Sequence, residues 1–243
     1  MRIEQHTGIK RGLTQVRRFL KLMGMKRRKT GALPAKADAQ KQNDFKQHQL
    51  EPRLQEALAK KRVVYFVDAA HFVFAPFLGF LWCFTRLFVK APCGRQRFNV
   101  LGALDAVTHQ IITFTNLTYI NAQSVCDLIT QIAQQNLGVP ITLVLDNAKY
   151  QKCVLVQQLA SSLKIELLYL PSYSPNLNLI ERFWKFVKKE CLASKYYPDF
   201  LSFRNAIQSL ILQAHIQHKV QLDSLLSHRF QDFAKAEITL LAA

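Results

Sequence analysis

Three acids have the types and placement to do chemistry together. Asp68 closes the apolar run Val63-Val64-Tyr65-Phe66-Val67, and Asp146 closes Ile141–Leu145. Glu181 follows Asp146 by 35 positions, near the start of a helix led in by Pro171-Ser172-Tyr173-Ser174-Pro175-Asn176. Strand ends are where α/β sheets present ligand-binding groups, so two parallel neighbouring strands would deliver both aspartates to one edge. In the helix, Ile180, Phe183, Trp184 and Val187 make an apolar stripe. At about 100° per residue Glu181 falls on the edge of that stripe, flanked by Lys185 and Lys188. Converging carboxylates repel one another unless a cation neutralises them, and hard oxygen ligands with open positions suit Mg²⁺ or Mn²⁺. Two such ions about 4 Å apart can activate a water or a 3′-hydroxyl and stabilise the leaving oxygen of an in-line phosphodiester displacement. Singly, each acid has an ordinary explanation: an Asp after a strand caps a turn or helix, and a Glu in a first turn favours the helix dipole. Their combination is what points to a site.

The elements that must position these acids are readable from periodicity. The run 63–67 reads as a strand, 81–89 as a second, 98–104 as a third, and 110–117 as its hairpin partner after a turn at 105–109. Spacing of Val125, Leu128, Ile129 and Ile132 predicts a helix over 121–135 with Asn121 as N-cap. Then come a strand at 141–145, a helix at 153–163, a strand at 165–170 and a helix at 177–192. Strands followed by helix–strand–helix–strand–helix imply a mixed α/β sheet covered by helices. Residues 199–236 read as mostly helical.

Net charge is +17, and residues 1–62 carry +12 of it. Such asymmetry points to a polyanion, nucleic acid before membrane. Residues 3–29 read as part of a helix-turn-helix: a turn at His6-Thr7-Gly8, then Leu13, Val16, Phe19, Leu20 and Met23 at helical spacing opposite Arg17, Arg18 and Lys21. Gly24 ends the helix and Lys26, Arg27, Arg28 and Lys29 follow. A basic helix after such a turn suits a DNA major groove, and a merely solvated basic helix is the alternative. The expected organisation is a partial, winged-helix-like DNA-binding segment at 1–30, a polar, partly helical linker with solvent-exposed helices at 31–61, a catalytic domain at 62–195 and a helical extension at 196–243.

Five cysteines without a Cys-x-x-Cys pair argue against a zinc site or disulfide framework and fit a reducing cytosol. No apolar leader follows Met1. The most apolar stretch, Phe72–Thr85, has 14 residues with Pro76 and Gly79, too short to span a bilayer. The chain is therefore expected in the cytoplasm.

The segment Leu170–Trp184 (LPSYSPNLNLIERFW) resembles the signature of the bacterial insertion-sequence branch of the Tc/mariner DDE transposases. LVLDNA (143–148) resembles the second acidic motif of that group, FVDAAHF around Asp68 the first, and the 34 residues between Asp146 and Glu181 match its Glu-bearing subgroup. The resemblance implies a ribonuclease-H-like catalytic domain. It implies Asp68, Asp146 and Glu181 as metal ligands for two Mg²⁺ or Mn²⁺ ions, and Asn147 as a supporting residue. It further implies cleavage at the element's terminal inverted repeats, strand transfer into double-stranded target DNA, usually at TA, and a homodimer on DNA. Leu179 stands where many relatives have Pro. Relatives carry a bipartite DNA-binding region, and this chain is expected to begin inside its second half, as a fragment or one frame of a frameshifted element.

Among lesser candidates, Asp105 reads as a turn residue, Glu166 and Glu190 as structural, His71 as packing and Trp184 as core, while Tyr173 could stack on a flipped base. Two functions compete with transposition: a catalytically silent DNA-binding derivative that represses transposition, and a ribonuclease H or structure-specific nuclease.

Overall fold

In a computed structural model of the chain, residues 2–27, 38–75, 84, 85, 88, 96–135, 137–193 and 195–230 are described. The strand expected over 81–89 lies almost wholly outside them, as do Arg28, Cys83, Cys93 and residues 231–243. The chain divides into two compact units, Met1–Ala35 and Lys36–Ala243.

The first unit contains α1 (Arg2–Thr7) and α2 (Leu13–Leu22), joined through Gly8 at φ 68°. The short α1 runs through His6 and Thr7, where the sequence pattern predicts a turn, and the chain turns at Gly8 instead. Arg17, Arg18, Lys21, Lys26 and Arg27 are all exposed. So are Leu13, Phe19, Leu20 and Met23 on the apolar side, because two short helices cannot bury a stripe of this size between themselves.

The second unit begins with α3 (Ala39–Phe45), a π-helical turn at Lys46–Leu50 and α4 (Glu51–Leu58). The sequence suggested a linker of solvent-exposed helices here. Instead Phe45, Leu50, Leu54 and Ala57 are buried in the main core. The unit then builds β1 (Val63–Val73), β2 (Arg97–Asp105), β3 (Ile111–Asn116), α5 (Ala122–Ala133), β4 (Ile141–Leu145), α6 (Val154–Ser162), β5 (Ile165–Tyr169), α7 (Leu179–Leu192), α8 (Phe200–Gln217) and α9 (Lys219–Leu225). The five strands lie in the order β3-β2-β1-β4-β5. β1, β2 and β3 are antiparallel neighbours, and β4 and β5 run parallel to β1. Among the described residues no helix is long and apolar enough to cross a membrane.

Alternation along the strands sends side chains into two apolar layers. Phe66, Ala70 and Phe72 of β1 and Val144 of β4 join Ile180, Phe183, Trp184 and Val187 of α7 and the inner residues of α8. Tyr65 and Val67, with Leu143 and Leu145, pack instead on α5 and α6. α5 starts where Asn121 accepts the N–H of Ser124 at 3.0 Å, the N-cap read from sequence. Gly102 of β2 lets the Trp184 ring come close against the sheet: a Cβ there would sit 2.9 Å from Cζ2 and Cη2 of the indole.

Candidate active site

β1 and β4 run in parallel with fixed register, Val63 opposite Ile141 through Phe66 opposite Val144. Carried two steps further, that offset sets Asp68 level with Asp146. Both follow the parity of Phe66 and Val144, so both side chains emerge on the face covered by α7. Asp68 does not end its strand, as the sequence reading had it. β1 continues to Val73 because β2 stays paired with it throughout, Val73 opposite Arg97; what ends near Asp68 is the pairing with β4. Glu181 lies in the first turn of α7, on the layer that faces both aspartates.

The three acids line one cavity of about 340 Å³ together with Asn147, Ala148, the loop Leu170–Pro175 and Asn178. Their electrostatics agree with that proximity. Burial pushes the Asp68 carboxyl up to about 7, and the neighbouring charges of Glu181 and then Asp146 push the same way. An N–H of Ala69 and the charge of Lys188 pull against them. The Tyr150 hydroxyl is raised to about 12, by burial first and by Asp146 and Asp68 next. Lys185 and Lys188 are exposed on the outer side of α7.

Several groups hold the site in shape. Asp146 Oδ1 accepts the Ala148 N–H at 3.0 Å. Gln151, fully buried, turns its amide to donate to the same Oδ1 at 2.5 Å and to the Asp146 carbonyl at 3.2 Å. With Oδ1 held twice, Oδ2 is the oxygen of Asp146 left for the cavity. Asn147 donates from Nδ2 to the Leu170 carbonyl, tying the ends of β4 and β5 together. Tyr173, 52% exposed at the cavity wall, adopts φ 60°, a strained backbone for a residue with a Cβ. Its loop is braced from α3: Gln42 donates from Nε2 to the Tyr173 carbonyl at 3.3 Å and accepts from Asn176 Nδ2 at 3.1 Å. Neither Gln42 nor Gln151 stands out in the sequence, because a glutamine declares itself only through its tertiary contacts.

The remaining candidates fall outside the site. Asp105 Oδ1 accepts the N–H groups of Val107 and Thr108, each at 2.7 Å, and is a turn residue. Glu166 is paired with Arg53 and Arg62. His71 Nδ1 lies 2.7 Å from Asn99 Oδ1. The Asn99 amide is spent on Asn116 and the Thr118 carbonyl, so Nδ1 carries the proton. Trp184 is buried.

The donor set fits a hard divalent ion: three carboxylates and carboxamide oxygens, with neither thiol nor imidazole on the wall. Among the described residues no group of three His, Cys, Asp or Glu side chains is drawn tightly enough to cage an ion by itself. Mg²⁺ needs no such cage, since it keeps several waters and takes only one or two carboxylates. The raised Asp68 carboxyl, and a buried Asn178 Oδ1 that has no partner among the described residues, both fit a group that brings positive charge and a hydrogen-bond donor.

Residues 85–204 match the family model described as DDE superfamily endonuclease. That span contains Asp146 and Glu181, and Asp68 precedes it. Among curated proteins the sequence finds no match. Among solved structures it resembles the Mos1 transposase paired-end complex with left transposon end at TM-score 0.55 and 13% identity, covering 86% of this chain and 70% of that one. It also resembles the Mos1 mariner paired end complex with Mn at TM-score 0.56 and 13% identity, with the same coverage. The Mos1 strand transfer complex gives TM-score 0.52 at 13% identity, over 86% of this chain and 69% of that one. At such identity the likeness is one of fold, and the fold is ribonuclease-H-like.

Proposed function

We propose that the chain is the transposase of an insertion sequence, cutting DNA at the element's ends and joining the freed 3′ end to target DNA, a reading supported by the match of residues 85–204 to the DDE superfamily endonuclease model. The observation that carries this reading is the register that sets Asp68 level with Asp146 on the face where α7 presents Glu181.

Asp68, Asp146 and Glu181 would hold two Mg²⁺ or Mn²⁺ ions. Bound ions supply acidity to an attacking water or 3′-hydroxyl and positive charge to the leaving oxygen. Asp146 offers Oδ2, its other oxygen being held by Ala148 and Gln151. Asn147 keeps the ends of β4 and β5 from parting. Lys188, close enough to act on the Asp68 carboxyl, and Lys185 one turn earlier offer positive charge to the DNA backbone. Tyr173 presents an exposed ring at the cavity wall on which a base can stack. Arg17, Arg18, Lys21, Lys26, Arg27 and Arg28 form a basic stretch suited to the terminal inverted repeats, in a helix-turn-helix arrangement with α2 as the reading helix. The paired-end assemblies of the Mos1 structures support a homodimer that holds two element ends, and the Mn in one of them supports divalent-metal chemistry.

The test is cleavage of duplex DNA carrying the inverted repeats from the chain's own genomic flanks, with Mg²⁺ or Mn²⁺. Cleavage that disappears in Asp146→Ala supports the proposal. Binding without cleavage favours a silent repressor, and cleavage of RNA–DNA hybrids alone favours a ribonuclease H. Affinity should fall steeply with salt as phosphate contacts are lost.

A further inference from the structure

Asn178 is the N-cap residue of α7, three positions before Glu181. An asparagine in that position ordinarily turns its side-chain oxygen onto an N–H of the first helical turn. Here it makes no such bond. Its Nδ2 instead reaches across to the Val67 carbonyl at 3.4 Å, next to Asp68. That contact settles which way the amide faces, because the opposite orientation would set two carbonyl oxygens against each other. Oδ1 is therefore directed away from β1. It is buried without a hydrogen-bond partner among the described residues, on a side chain that is 4% exposed and lines the cavity of the three acids.

A buried acceptor calls for a donor. None of the described wall residues donates to it. The carboxylates of Asp68, Asp146 and Glu181 accept when ionised, and the Asn147 amide is committed to Leu170. DNA brings chiefly acceptors in its phosphates. A water polarised by a divalent ion is a strong donor, and Mg²⁺ or Mn²⁺ held by one or two carboxylates keeps several such waters.

We infer that Asn178 is a positioning residue of the metal site, its Oδ1 accepting a hydrogen bond from a water bound to the ion while its Nδ2 anchors the side chain to β1 beside Asp68. This rests on the reading of the acid cavity as a divalent-metal site. It also explains why a helix start so near the chemistry forgoes its ordinary cap. The oxygen that lacks a protein partner is the one the hydrated ion engages, so metal binding and the α7 terminus are linked through it.

The experiment measures Mn²⁺ affinity of the full chain without DNA, from the electron paramagnetic resonance signal of free Mn²⁺. Metal-free Tm is measured beside it, for the wild type, Asn178→Leu, Asn178→Ser and Asp146→Asn. Loss of a group that orients a metal ligand weakens affinity by about tenfold or more. Both Asn178 variants should therefore bind Mn²⁺ about tenfold more weakly while still unfolding cooperatively without metal, whatever small loss of Tm the missing Val67 hydrogen bond brings. Wild-type affinity in either folded variant overturns the inference, and so does a lowered metal-free Tm in both with affinity unchanged. Asp146→Asn separates the two readings. If it abolishes binding while the Asn178 variants retain it, only the role of Asn178 fails. If it too binds as the wild type does, the metal-site reading itself fails.

Discussion

Glu166, at the start of β5, lies at the end of the sheet away from the acids and anchors α4 to it. Its carboxylate accepts from Arg53 Nε at 3.0 and 3.1 Å, from Arg62 Nη1 at 2.9 Å and from Thr142 Oγ1 at 2.7 Å. The Arg53 hydrogen bonds come first in holding its pKa down at about 2, below an ordinary 4.5, against the opposing effect of burial. At 1.36 kcal/mol per unit that difference corresponds to roughly 3.4 kcal/mol. The side chain is 36% exposed, so solvent screens the pair and the usable stabilisation is about 1–2 kcal/mol. A depressed carboxylate stabilises the fold in full above its unfolded pKa, and that contribution is lost as pH falls through 4.5 toward 2. Glu166→Gln should therefore cost about 1–2 kcal/mol at pH 7, with the gap to wild type shrinking below half by roughly pH 3. Urea unfolding of both proteins at pH 7, 5 and 3 measures this. A gap that is the same at pH 3 as at pH 7, or absent at pH 7, would refute the electrostatic origin of the clamp.

Two further changes probe the scaffold around the acids. Gly102→Ala places a methyl 2.9 Å from the Trp184 ring and from Ile111 Cδ1, and should destabilise by about 1–3 kcal/mol through overpacking, read as a lowered urea midpoint. An unchanged midpoint would mean that α7 can lift from the sheet at little cost. Gln151→Leu frees Asp146 Oδ1 of its amide partner and should weaken Mn²⁺ binding about tenfold, as loss of a ligand-orienting hydrogen bond does. Isothermal titration with Mn²⁺ checks this, and wild-type affinity in the folded variant would show that Ala148 alone suffices to orient the carboxylate.

The acids were legible in the sequence because each sits where an apolar pattern changes: after Val67, after Leu145, and on the border of the Ile180–Val187 stripe. The core strands and helices from 97 onward were legible for the same reason, to within a few residues. β1 was read too short because Asp68-Ala69-Ala70-His71 interrupts the apolar run. Its continuation depends on nine residues of β2 distant in sequence. The α3–α4 region reads as a linker because its composition is polar, and its four buried apolar residues, Phe45, Leu50, Leu54 and Ala57, do not keep simple helical spacing between 45 and 50. The π-helical turn at Lys46–Leu50 absorbs that extra residue and keeps all four on one face. Gln42, Gln151 and the free oxygen of Asn178 were invisible as site components, since a carboxamide gains its role from partners that folding alone brings to it. Asn178 did lie within the quoted SYSPNLN segment, where its residue type reads simply as a helix cap.

Whether Asp68, Asp146 and Glu181 hold divalent ions is decided by anomalous scattering from crystals grown with Mn²⁺. Mn peaks are expected in the cavity, within about 2.0–2.6 Å of carboxylate oxygens of these residues as for other hard divalent ions, with Asp146 bound through Oδ2. Mn peaks only elsewhere on the molecule, with the three carboxylates free of metal at saturating Mn²⁺, would contradict the metal-site reading.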